Sequence, residues 1–168
     1  YSVNSYSSSP CLYIASKNLM QHNRLWFDES FLHEDEGFTA ILFCLAQRAI
    51  SSERRLFKRR VRANSIMTTE KTLANVEGLI QSAVKIESFK LTTQILDLSK
   101  YKALSLKKRQ LLRNSMKVAE AINELVNFRL ILTEKFTFWQ LLRLDSAMFF
   151  YCKMPIIFMF LRTLKRKL

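Results

Sequence analysis

The chain holds two glycines and two prolines in 168 residues. Glycine and proline punctuate a chain into tight turns and hairpins, and average usage would give roughly 12 and 8 of them in this length. With so few, hairpin turns are scarce and the chain is expected to be all-α, built of antiparallel helical hairpins in a short solenoid-like array or an irregular bundle. Apolar residues make up 49%, including 13 Phe. That is enough for a core and unlike the composition of a disordered chain.

The charge then says what those helices face. The net charge is +13 with a pI near 10, a balance typical of proteins that hold phosphate backbones. Its distribution is uneven. Residues 1–27 carry no acid and six Ser by residue 16, with Lys17 and Arg24 the only cations, a composition like an organellar targeting segment and equally like a flexible Ser-rich tail. Asp28, Glu29, Glu34, Asp35 and Glu36 form an acidic patch expected to meet a basic partner. From Gly37 onward 9 acids face 25 Lys and Arg. Cys11, Cys44 and Cys152 are far apart and form no C-x-x-C pair, so neither a disulfide framework nor a zinc site is indicated.

Apolar spacing predicts helices over about 39–50, 53–62, 70–86, 89–102 and 106–132. Ser51 or Ser52 is expected to cap the second, and Thr68 or Thr69 the third. The inward stripe of the fifth is Leu112, Met116, Ala119, Ile122, Val126 and Leu130. Thr137 and Gln140 have capping-box spacing and predict a sixth helix, ended or kinked by Pro155, with a terminal helix over 156–165. These elements divide the chain into a tail with the acidic patch (1–37), a basic helical-hairpin domain (38–135) and an apolar C-terminal pair of helices with a basic end (136–168).

Two basic clusters stand out. Arg48, Arg54, Arg55, Lys58, Arg59, Arg60 and Arg62 are opposed by Glu53 alone. Lys100, Lys102, Lys107, Lys108, Arg109, Arg113 and Lys117 have no acid among them. On a helix, Lys102, Arg109, Arg113 and Lys117 share one edge. Cations so grouped neutralise phosphates and release counterions, which gives strong, sequence-blind affinity. A solvated charged face is the plainer alternative. Trp26, Phe27, Tyr101 and Trp139 lie near basic residues and are candidates to stack on unpaired bases.

Nothing points to catalysis. His22 and His33 are the only histidines, and no phosphate-cradling glycine loop exists. His33 with Glu34, Asp35 and Glu36 has the groups for a divalent cation, but such runs are usually solvated loops. No enzyme activity, cofactor, metal or small-molecule substrate is expected.

Residues 136–161 are the most apolar part of the chain. A membrane span needs about 20 apolar residues; here Arg143, Asp145 and Lys153 interrupt, each costing roughly 2.5–3.5 kcal/mol at a bilayer centre. A buried helix or a protein contact is expected instead, with membrane contact through the Arg162, Lys165, Arg166 and Lys167 cluster as the alternative.

Two stretches align: CLAQRAISSERRLFKR (Cys44–Arg59) and LSKYKALSLKKRQLLRN (Leu98–Asn114), with Ala49-Ile50-Ser51 opposite Ala103-Leu104-Ser105. Residues 122–142 give a third, looser copy. Leu45-Ala46, Arg48, Ile50, Ser51, Glu53-Arg54 and Leu56-Phe57 together resemble the degenerate helical-hairpin repeats of organellar RNA-binding proteins, the octotricopeptide- and heptatricopeptide-like families. That resemblance implies an α-solenoid on RNA. In divergent members it implies a structural piece of a mitochondrial ribosome, in the matrix, touching rRNA and neighbouring proteins. The alternative expectation is an accessory subunit of a mitochondrial membrane complex of the respiratory chain or ATP synthase.

Overall fold

The computed structural model describes residues 8–54, 56–58, 60, 65, 68–93, 95, 97–144 and 146–154. These hold a short 3-10 turn (Pro10–Leu12) and seven α-helices: α1 (Lys17–His22), α2 (Glu34–Leu45), α3 (Leu73–Thr92), α4 (Leu98–Ala121), α5 (Leu125–Lys135), α6 (Phe138–Leu144) and α7 (Ser146–Lys153). No strand occurs among the described residues, and the chain is all-α.

Antiparallel α3 and α4 form the central hairpin. Ser115 Oγ donates to Val76 O at 2.9 Å at one end, and Lys90 Nζ donates to Ser105 Oγ at 2.9 Å at the other. Val76, Ile80, Ala83 and Ile86 of α3 meet Leu104, Leu111, Leu112 and Ala119 of α4 in one core. Phe128 and Leu132 of α5, then Leu141, Met148 and Tyr151 of α6 and α7, extend that core. The Tyr151 hydroxyl donates to Leu125 O at 2.6 Å, tying α7 to the start of α5. A second cluster holds Phe38, Ile41 and Leu42 of α2 with Leu25, and Phe89 of α3 packs against both.

Gly37 serves the contact between α2 and α3, and Gly78 of α3 admits the backbone of Leu32 just before α2. A Cβ at Gly78 would stand 2.0 Å from Leu32 O, and one at Gly37 would stand 3.0 Å from Ser82 O. They are used for close approach, and non-glycine residues make the left-handed turns. Arg24 (φ 49°) ends α1 and Asn123 (φ 60°) ends α4. Each closes a Schellman motif: Leu25 N–H donates to Met20 O at 2.9 Å, and Glu124 N–H to Ala119 O at 2.7 Å. His33 (φ 65°) precedes α2.

Several predicted boundaries move. The expected helix over 39–50 is α2, which begins five residues earlier on its acid-rich first turn, favourable at a helix N-terminus, and stops at Leu45. The expected helix over 53–62 is absent from its described residues. Its cations sit four apart at 54/58, 55/59 and 58/62, and each like-charged pair costs a few tenths of a kcal/mol in a helix too short to absorb it. Arg55, Arg59 and Arg62 lie outside the described residues.

The predicted helix over 89–102 does not form as a unit. Residues up to Thr92 finish α3, and Asp97 caps α4 by accepting the Ser99 N–H at 2.8 Å. The predicted long helix over 106–132 is cut at Asn123. That turn leaves the expected Val126 and Leu130 exposed and brings Phe128 and Leu132 inward. The cap of α3 is Thr72, whose N–H donates to Asn75 Oδ1 at 2.8 Å, rather than Thr68 or Thr69.

The Thr137–Gln140 capping box forms as expected, with bonds of 2.8 and 3.3 Å. The segment before α2 touches it at named points: Thr39 Oγ1 donates to Ser8 O at 2.9 Å, the Tyr13 hydroxyl bonds Thr39 Oγ1 at 2.8 Å, and Phe27 stacks on Phe38. The expected break at Pro155 and the terminal helix over 156–165 lie outside the described residues. No described helix is long and apolar enough to cross a membrane.

Candidate nucleic-acid interface

Helix α4 sorts its cations onto two faces. Lys107 and Lys108 are buried among Leu104, Leu111, Leu112, Ser115 and Ala119. Their aliphatic stems lie in the core and their ammonium groups reach acids on neighbouring helices. Lys107 Nζ meets Glu36 Oε2 of α2 at 2.5 Å, and Lys108 Nζ meets Glu87 of α3. Expected to face RNA, these two lysines instead reach carboxylates of α2 and α3. Glu36 and Glu87 stand 71 and 21 residues away in sequence, so no local spacing could have signalled the pairs.

Around Glu87 the seam between α3 and α4 carries a small polar network. Lys90 Nζ lies 3.6 Å from Glu87 Oε2, donates to Ser105 Oγ, and sits 4.2 Å from the centre of the Tyr101 ring. Ser105 Oγ donates in turn to Tyr101 O at 2.9 Å. Burial pushes the Lys108 ammonium below its ordinary pKa, and the Glu87 carboxylate counters that. Lys100 is likewise committed, donating to Ala46 O at 3.1 Å and so closing the last turn of α2 against the first turn of α4.

The opposite face of α4 carries the rest. Lys102, Arg113 and Lys117 are exposed and Arg109 is partly exposed. Together with exposed Leu106 they follow the i, i+4, i+7, i+11, i+15 series of a single edge. At a 1.5 Å rise per residue this edge is about 22 Å long. No acid lies on α4 between Lys102 and Lys117.

The first cluster stands on the connection between α2 and α3. Arg48, Arg54, Lys58 and Arg60 are exposed, and so are Ile50, Leu56 and Phe57. Ser52 Oγ accepts the Arg54 N–H at 3.2 Å, a cap-like bond with no helix behind it among the described residues. The two aligned stretches therefore differ in structure. Ala103-Leu104-Ser105 is the interior of α4, whereas the described part of 46–60 is an exposed connection.

The remaining candidates have structural placements. His33 Nε2 pairs with Asn75 Nδ2 at 3.2 Å, and its carbonyl accepts from Ser82 Oγ at 2.6 Å. Burial and the Lys71 charge hold the imidazole below its usual pKa. No group of three potential metal ligands occurs among the described residues. The acidic patch is partly spent within the chain, Glu36 on Lys107 and Asp28 on the Ser30 N–H and hydroxyl. Burial, with Glu36 and Glu34 adding to it, raises Asp35 to about 6.

Asp28 also borders a cleft of about 410 Å³ with Phe31, Glu77, Ile131 and Glu134. Phe27 is committed to Phe38, while Tyr101, Trp26 and Trp139 remain 42%, 56% and 66% exposed. Burial pushes the Cys152 thiol up to about 11, which keeps it a core group. No protein family, curated protein or solved structure matches the chain.

Proposed function

We propose that this protein is a non-catalytic structural component of an RNA–protein assembly, binding RNA phosphates along the outer edge of α4 and the connection that carries Arg48, Arg54, Lys58 and Arg60. The observation that carries this reading is the division of labour on α4. Lys107 and Lys108 turn inward to carboxylates of α2 and α3, and Lys102, Arg109, Arg113 and Lys117 line one outer edge up to Glu120, with no acid in the sequence between Lys102 and Lys117. A row of that kind neutralises a polyanion without reading its sequence.

Exposed Val126, Leu130, Trp139 and Leu142 on α5 and α6 fit contact with neighbouring proteins of such an assembly. The organellar setting, a mitochondrial ribosome in the matrix, is supported by the acid-free composition of residues 1–27 and by the sequence resemblance carried by residues 45–57.

The test is charge reversal at Lys102, Arg113 and Lys117 together. Binding to mixed-sequence RNA should fall steeply while the far-ultraviolet circular dichroism stays that of the parent. Unchanged affinity with intact helicity overturns the reading. Reversal at Lys107 or Lys108 is unsuitable, because it would set a new carboxylate against Glu36 or Glu87.

A further inference from the structure

Exposed aromatic rings on helices ordinarily rotate, and a base that stacks on one must first order it. Tyr101 has a cation against its ring. Lys90 Nζ stands 4.2 Å from the ring centre, and Lys90 is itself held by Ser105 Oγ and Glu87, with only 7% of its side chain exposed. Ser105 also bonds the Tyr101 carbonyl. The ring is thus backed by a buried cation yet remains 42% exposed. A cation against an aromatic face is itself attractive, so the ring's position is stabilised before any ligand arrives.

The surroundings suit a nucleic-acid strand. Exposed Lys102 follows in the chain and starts the cationic edge of α4. Exposed Leu98 lies one turn before Tyr101. The Lys100 bond to Ala46 O brings the end of α2 to this corner, and exposed Arg48 follows two residues later.

We infer that Tyr101, backed by Lys90, is a stacking platform for an unpaired base of single-stranded RNA whose phosphates run along Lys102, Arg109, Arg113 and Lys117. This rests on the phosphate-binding reading above and adds a preference for single strands over duplex. In a duplex every base is already stacked within its own helix, whereas base–aromatic stacking adds roughly 1–3 kcal/mol per base to single-strand binding.

The experiment uses the full chain with a 12-nucleotide oligoadenylate and a 12-base-pair RNA duplex as probes. Tyr101→Leu should weaken oligoadenylate binding roughly 5- to 100-fold and leave duplex binding unchanged, while Tyr101→Phe keeps both. A Tyr101→Trp variant should gain an indole emission that oligoadenylate quenches beyond any change in the parent. Equal losses for both probes, or no loss for either, overturn the platform while phosphate binding stands. If the parent binds neither probe, the phosphate reading itself falls. A loss of helicity in Tyr101→Leu transfers the decision to Tyr101→Trp, where absence of quenching on bound oligoadenylate overturns the platform.

Discussion

At the scale of single residues, the glycines carry more of the fold than their number suggests. A methyl group at Gly78 would meet Leu32 O at 2.0 Å, a backbone atom that cannot swing aside. Gly78→Ala is expected to cost about 2 kcal/mol or more, overpacking exceeding the roughly 1 kcal/mol of helix propensity gained. Gly37→Ala, against a 3.0 Å contact, should cost less. Thermal unfolding of the two variants checks the order, and equal melting temperatures would contradict it.

Asp35 gives a pH-dependent counterpart. Its pKa is about 6 in the fold against an ordinary 3.8, so the folded state disfavours the carboxylate. The penalty is full above about pH 6 and fades as pH falls toward 4, since protonation then comes first in the folded chain. Asp35→Asn should therefore stabilise at pH 7.5, by about 1 kcal/mol after allowance for solvent screening, and lose that advantage near pH 4. His33 acts in the opposite sense. It is held neutral, so stability falls as pH drops through the ordinary value of 6.5 and protons bind the unfolded chain first. Comparing Asp35→Asn with its parent at both pH values removes this shared background.

At the scale of elements, helix class and the strongest periodic stretches were legible, and boundaries were legible only where a local chemical signal marks them. Thr137 and Gln140 announced α6 because a capping box is written within four residues. Asp97 before Leu98-Ser99-Lys100 is an equally local cap that periodicity alone overrode. The end of α4 could not be read this way. Asn123 holds the left-handed position just past the Ile122 C-cap in a run of uninterrupted helical spacing, and the turn there goes with burial of Phe128 and Leu132.

The seam between α3 and α4 depends on charges that the sequence presents as surface cations. Glu87→Ala would leave Lys108 and Lys90 facing each other in the core. It should cost about 3–5 kcal/mol, the usual result of removing one partner of a buried pair. Glu87→Leu combined with Lys108→Met should recover much of that. Chemical denaturation of Glu87→Leu, Lys108→Met and the double variant measures the coupling, and strict additivity would show that the pair is not joined.

At the scale of the whole molecule, part of the positive charge turns inward to carboxylates and part lies on the surface. Composition revealed the excess but not the division, because the acids that retain Lys107 and Lys108 arrive from α2 and α3. What remains outward is the α4 edge and the connection after α2, and the proposed function depends on these meeting phosphates. The most direct test is the salt dependence of binding to single-stranded RNA. Each phosphate neutralised adds about −0.7 to the slope of log K against log salt. The four outer cations of α4 alone therefore predict a slope of about −3 or steeper, reduced in magnitude by about 2 when Lys102, Arg113 and Lys117 are reversed. A slope near zero, or one that the reversal leaves unchanged, would contradict the account.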